Sequence, residues 1–313
     1  MLLLLLSRLA QGLVVLFAVT LLTFALLGAA GGDAVSAVYE DPRIPAESLE
    51  RLRAIHGLDR PFHVRYARWM GGALRGDLGQ SFYFQTPVAA LLAPRLARTL
   101  ALGAASLLIS LAVACALGVA AARRRGSWVD KLSAGVELTA SSTPRIVLAL
   151  VALVVAARWS LFESSGAGGA GAALMRFALA AVVLAVPLVA IFLAQVRDGL
   201  GEALREDFVQ LARAKGLSER VVLVRHASRA ALNPVITVFG FSLGSLLSGS
   251  VIVETVLGWP GVGQLSVVAV RARDVPLLMG IVLAASLAVL VGNLVADVLL
   301  RLNDPRVRVA ESK

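Results

Sequence analysis

Long apolar runs alternate with short charged passages along this chain. Six of the runs, near residues 9–29, 99–122, 132–157, 172–196, 235–257 and 277–300, are the length of membrane spans. About 20 apolar residues wound as a helix cross a hydrocarbon core of about 30 Å. A helix satisfies its own backbone hydrogen bonds there, so the pattern predicts an all-α membrane protein of six transmembrane helices. The third run is the least uniform, because its first half is polar and carries Glu137 and Arg145.

Between the fourth and fifth runs lies a helix-shaped charged passage, "EDFVQLARAKGLSERVVLVRHASRAALNP", from Glu206 to Pro234. Its first part reads as a helix of about three turns. Glu206 and Asp207 suit the positive end of the dipole, and Arg213 and Lys215 the negative end. Gly216 is placed to cap it. Phe208, Leu211, Ala212 and Lys215 fall on one face, and Ala212 and Ala214 are small enough to let another surface come close. Leu217 and Ser218 then make a turn, with Ser218 as N-cap of a second helix that stops near Asn233 and Pro234, where the fifth span begins. Such a pair suits docking to a soluble partner, and an ordinary basic loop would look similar.

Composition sharpens this picture. The chain is 58% hydrophobic and 16% charged, against about 45–50% and about 25% in soluble domains. Its net charge of +10 sorts by loop. Arg123 to Arg125 with Lys131, the basic residues from Arg197 to Arg229, and the tail after the sixth run fall on one side if both termini are cytoplasmic. The charge is then a matter of topology, and no nucleic-acid partner is expected. Cys115, alone in the second run, excludes an internal disulfide. A cleaved signal peptide at the first run is disfavoured, since its removal would leave five spans.

Motifs for catalysis are missing from the sequence. No P-loop is present, and none of Lys131, Lys215 and Lys313 follows a glycine in a phosphate-binding pattern. Neither H-E-x-x-H nor G-x-S-x-G occurs. His56 and His63 are expected to be solvated or locally bonded, so no metal site is assigned. Charges deep in the spans are scarce: the sixth offers Asp297, with the polar Asn293 near it, and Glu254 lies near the end of the fifth. This argues against a proton relay. It points to a pathway whose energy comes from elsewhere.

The segment "DFVQLARAKGLSERVVLVRHASRAALNPVITVFG" resembles the cytoplasmic EAA loop of ABC importer permeases of the dipeptide, oligopeptide and nickel family. "IHGLDRPFHVRYARWMGGALRGDLGQSF", "RRRGSWVDK", "ETVLGWPGVGQL" and "NDPRVR" extend the resemblance, in order, over nearly the whole chain, in the arrangement of a B-type subunit. Gln210 stands where the general importer pattern has glutamate, Gly31-Gly32-Asp33 replaces Pro-Gly-Asp, and Arg145 stands where an aromatic is usual.

The resemblance implies a type I ABC importer permease fold. Its expected parts are an N-terminal transmembrane helix (1–30), an extracytoplasmic segment (31–97), a permease domain (98–301) with its coupling loop at about 197–233, and a cytoplasmic tail (302–313). It implies a non-catalytic subunit of a prokaryotic inner membrane that imports dipeptides or oligopeptides, or by the same machinery nickel chelates, glutathione or another small solute. The partners implied are a second homologous permease, two cytoplasmic ATPase subunits that carry the ATP and magnesium, an extracytoplasmic binding protein and membrane lipid. The expected ATPase-coupling residues are Asp207, Leu211, Ala212, Arg213, Ala214, Lys215, Gly216 and Leu217. Glu254, Trp259, Pro260 and Gly261 are the candidates for the pathway or its outer gate. An ion-coupled secondary transporter would instead call for midplane charges or inverted repeats, which the sequence lacks.

Overall fold

The computed structural model describes residues 2–29, 51, 57, 59–159 and 169–303. Apart from an isolated antiparallel bridge between Gln80 and Pro87, its regular structure is helical. In chain order the helices are α1 (Leu2–Ala29), α2 (Phe62–Ala73), α3 (Val88–Arg123), α4 (Trp128–Ser142), α5 (Arg145–Arg158), α6 (Ala170–Ala203), α7 (Asp207–Ala214), α8 (Glu219–Leu257), α9 (Val262–Arg271) and α10 (Val275–Asn303). Five of them, α1, α3, α6, α8 and α10, are long and apolar enough to cross a membrane. Outward-facing Leu13, Val14, Leu22 and Leu26 on α1 are what a helix facing lipid requires.

The third expected span is not one helix. α4 and α5 meet at a 98° bend, and they make a sixth span only if taken together. The cause is local. Pro144 offers no N–H to the turn before it and pushes the preceding residue out of the helical region. Thr143 accordingly sits at φ −90°, ψ 118°. Arg145 then opens α5 and reaches α8, donating from Nη1 to the Ser245 carbonyl at 3.1 Å and from Nη2 to the Ser245 hydroxyl at 2.5 Å. Gly249 makes room for it, since a methyl there would collide with the guanidinium. The other charge in this run, Glu137, sits 3.0 Å from Arg197 on α6, an ion pair without hydrogen-bond alignment.

The chain divides into two compact units. The larger comprises residues 101–259 and 291–313 and is organised on α6, whose Leu188, Phe192 and Leu193 are fully buried. They pack with Leu102 of α3, Ala149 of α5 and Leu246 and Val253 of α8. The smaller comprises residues 1–100 and 260–290. Its centre is Val88 and Leu92 of α3 against Leu265 and Ala269 of α9 and Leu277 of α10. Gly280 lets α10 come close to Val88, as a β-carbon there would lie 2.6 Å from the valine side chain.

Two helices start earlier than the hydropathy indicates: α1 takes in the leucine run at its N-terminus, and α3 begins at Val88 with Pro94 inside it. Most of the 31–56 stretch with His56, the glycine-rich loop at 160–168 and the Asp-Pro-Arg tail lie outside the described residues.

Candidate functional site

α7 is short and two-sided. Val209 and Ala212 are buried among Leu200, Ala203, Val222 and Ala227, which fixes the helix against α6 and the start of α8. Phe208 and Leu211 point away and are 44% and 57% exposed. The apolar face expected from spacing is therefore split. Ala212 faces the chain's own core, whereas Phe208, Leu211 and Lys215 face outward.

The helix has eight residues, less than the three turns expected, because the chain leaves helical geometry at Lys215. Gly216 adopts φ +79°. Its N–H donates to the Arg213 carbonyl at 2.9 Å, and the Leu217 N–H donates to the Ala212 carbonyl at 3.3 Å. This bond pair is the Schellman cap that ends many helices at a left-handed glycine. Arg213 adds a forked clamp across the turn, with Nε 2.7 Å from Glu219 Oε1 and Nη2 3.3 Å from Oε2. Ser218 occupies the N-cap position, yet its side chain makes no capping bond, and the Arg213–Glu219 clamp joins the two helices instead.

No atom lies within 4 Å of a β-carbon at Gly216, so a substitution there costs only backbone strain. Gly216→Val should lower the melting temperature of the purified chain, with a cost of about 1–2 kcal/mol. Gly216→Asn should melt close to the wild type, since asparagine tolerates the left-handed region. Equal melting of all three would refute the role of this dihedral.

α8 does not stop at Pro234, contrary to the sequence expectation. It runs on from Glu219 to Leu257, with a π-helical stretch from Val222 to Ala227 and the proline inside. Asn303, the last residue of α10, supports this region. Its side-chain amide donates to the Arg229 carbonyl at 2.9 Å and to Asn233 Oδ1 at 2.7 Å, and Arg229 Nε returns a bond to the Asn303 carbonyl at 3.1 Å. The carbonyl that Pro234 leaves without its N–H partner is that of Ala230, so this cluster braces the helix beside the proline rather than replacing the lost bond. Val224, 69% exposed, adds an apolar residue to the outward surface.

At its other end α8 carries Glu254, fully buried, whose carbonyl accepts the Trp259 N–H at 2.9 Å. Gly258 makes that return possible at φ +67°. Trp259 leans on Phe177 with ring centroids 5.4 Å apart, and its buried Nε1 has no hydrogen-bond partner among the described residues. Glu254 and Trp259 thus belong to the larger unit, and Pro260 and Gly261 to the smaller. Gly261 is the N-cap of α9, a helix the sequence reading missed, and the Val262 N–H donates to Thr99 Oγ1 at 2.9 Å.

Asp274 was also missed. It is fully buried and accepts from the Ser81 hydroxyl at 2.5 Å, the Tyr83 N–H at 3.1 Å and the Leu277 N–H at 3.1 Å. One carboxylate thereby caps α10 and ties the 79–87 loop to it. An acid just before Val275-Pro276 is an N-cap signal that the sequence carried.

The profile of the family described as "Binding-protein-dependent transport system inner membrane component" matches residues 114–309, and the profile of its N-terminal region matches residues 1–103. The chain belongs to this family. A putative peptide permease protein of Brucella suis biovar 1 is 36% identical, over 97% of this chain and 98% of the relative. The dipeptide transport system permease protein DppB of Escherichia coli K12 is 32% identical over 97% and 98%. The oligopeptide transport system permease protein AppB of Bacillus subtilis 168 is 33% identical over 96% and 97%. This permease is accordingly a multi-pass inner-membrane protein, and α4 to α10 fall within the region that defines the family.

Proposed function

We propose that this permease forms half of the pathway of a peptide importer and couples to a cytoplasmic ATPase through α7. The observation that carries the coupling is the two-sidedness of α7, buried through Val209 and Ala212 and open through Phe208 and Leu211. A short helix with an unpartnered apolar face suits a groove on another protein. Leu217 and Val224 are further exposed apolar residues in the same passage, and Lys215, Arg220 and Arg225 are exposed cations within it. Peptide cargo follows from the names of the relatives.

In this reading both termini and the α6–α8 connection are cytoplasmic, and the segment between α1 and α3 is extracytoplasmic, where a binding protein delivers cargo. A second permease completes the pathway. ATP and magnesium are held by two ATPase subunits, and this chain performs no catalysis. When the ATPases close, α7 moves with its groove. Its buried face and the capped turn pass the displacement to α8, which runs unbroken to Glu254. ATP binding then biases which end of the pathway is open, as linkage between two sites of a two-state protein requires.

The test is purification of the chain from its native membrane in mild detergent, with identification of its companions, followed by peptide uptake into proteoliposomes. Two ATPase chains, a second permease and ATP-dependent uptake are expected. Uptake driven by an ion gradient without ATPase would overturn the reading.

A further inference from the structure

The smaller unit contains a cavity of about 270 Å³ walled by α1, α2, the loop after α2 and the first turn of α10. Arg60, Arg65 and Arg68 all line it, and none is paired with a carboxylate among the described residues. The one acid in the wall, Asp77, is occupied in part by its own loop, since Oδ1 accepts the Gly79 N–H at 2.9 Å. Trp69 also lines the cavity, and its Nε1 is buried with no hydrogen-bond partner among the described residues. A buried donor without an acceptor is unfavourable, and a ligand oxygen would supply the missing partner.

Part of the wall is apolar. Phe24 of α1 forms part of the wall, with the Phe62 ring 5.3 Å away and the Arg65 guanidinium 5.6 Å above it. Tyr66 shares a hydrogen bond of 2.9 Å with Thr20, which ties α2 to α1. The turn after α2 closes through the Asp77 N–H, which donates to the Gly72 carbonyl at 2.9 Å.

Depth along the spans identifies the occupant. Phe24 lies five residues before Ala29, where the first apolar run gives way in sequence to Gly31-Gly32-Asp33, about 7.5 Å along a helix axis. Val275 and Pro276, also in the wall, open α10. The cavity therefore lies near the end of one apolar run and the start of another, the depth at which spans of this length meet lipid headgroups. Guanidinium forks match phosphate oxygens, and partly exposed aromatic rings suit the acyl boundary beside them.

We propose that this cavity binds the phosphodiester headgroup of an anionic phospholipid, with Arg60, Arg65, Arg68 and the Trp69 indole N–H facing the phosphate. The topology proposed above puts the site in the outer leaflet, and only that assignment rests on it.

Native mass spectrometry of the full chain in detergent, titrated with phosphatidylglycerol or phosphatidylcholine, tests the site without needing ATPase or transport. A failed importer reading therefore leaves this result readable. One phosphatidylglycerol should be held in preference to phosphatidylcholine. Its affinity should fall about tenfold in R60Q/R68Q. Trp69→Phe, which keeps the ring and removes the N–H, should also weaken it, with phosphatidylcholine binding unchanged in both variants. Equal retention of the two lipids, or unchanged phosphatidylglycerol binding in both variants, overturns the proposal. So does full displacement by millimolar inorganic phosphate, which would make this a free-anion site. Loss of binding-protein capture in R60Q/R68Q, with lipid retention intact, would assign the arginines to protein docking and also overturn it.

Discussion

Leu211→Asp will abolish ATP-driven uptake while leaving the chain folded. Leu211 is 57% exposed and its neighbours on α7 hold the helix through other residues, so the folding cost should stay within about 0.5 kcal/mol. In the proposed complex the same position lies in a desolvated groove. Losing an interface anchor typically costs about 2 kcal/mol or more, and an unpaired buried charge adds to it. That sum corresponds to about a thirtyfold or greater loss of ATPase affinity. Three measurements together make the case: melting temperature, ATPase recovered on purification, and uptake. An unchanged melt with both other readouts lost is the expected pattern. Wild-type uptake would remove α7 from the coupling path. Val209→Asp provides the contrast, because Val209 is fully buried and its replacement should lower the melt itself.

Asp274→Ala should be the most damaging single change in the smaller unit. Its carboxylate serves the Ser81 hydroxyl and the backbone N–H groups of Tyr83 and Leu277 in a buried position. Alanine would leave all of these donors without an acceptor, at about 1–3 kcal/mol each where water cannot enter. The expected result is a destabilisation of about 3 kcal/mol or more, with the 79–87 loop released from the start of α10. Limited proteolysis should cut that loop in Asp274→Ala well before the wild type. Asp274→Asn keeps one acceptor oxygen and should fall between the two. A loop equally resistant in all three proteins would mean that other contacts hold it.

The spans were legible because hydropathy reads burial in lipid directly, and α1, α3, α6, α8 and α10 lie where the apolar runs are. The breaks were less legible, because proline acts through context. At Pro144 the chain bends by 98°, and at Pro234 it continues as a helix. Asn303 meets Arg229 and Asn233 near the second proline, across 74 and 70 residues of chain. Such pairing is invisible to a local reading. Around α7 the glycine turn was legible because only a left-handed residue closes that cap. The role of Arg213 was not, since its commitment to Glu219 depends on how the turn folds back. α9 was missed because a ten-residue helix beside a long span is drowned by the hydropathy of its neighbour, and the tie made by Asp274 was missed because its partners Ser81 and Tyr83 lie 193 and 191 residues away in the chain.

The π-helical stretch from Val222 to Ala227 has a consequence for chain length. A π turn accommodates one residue more than α winding would. Slack of this kind is one-sided. A single deletion between Val222 and Ala227 can be absorbed by tightening to ordinary winding, leaving Val253 in register with the packed face of α6. A single insertion has no such reserve, and it would rotate one end of α8 against the other by about 100°.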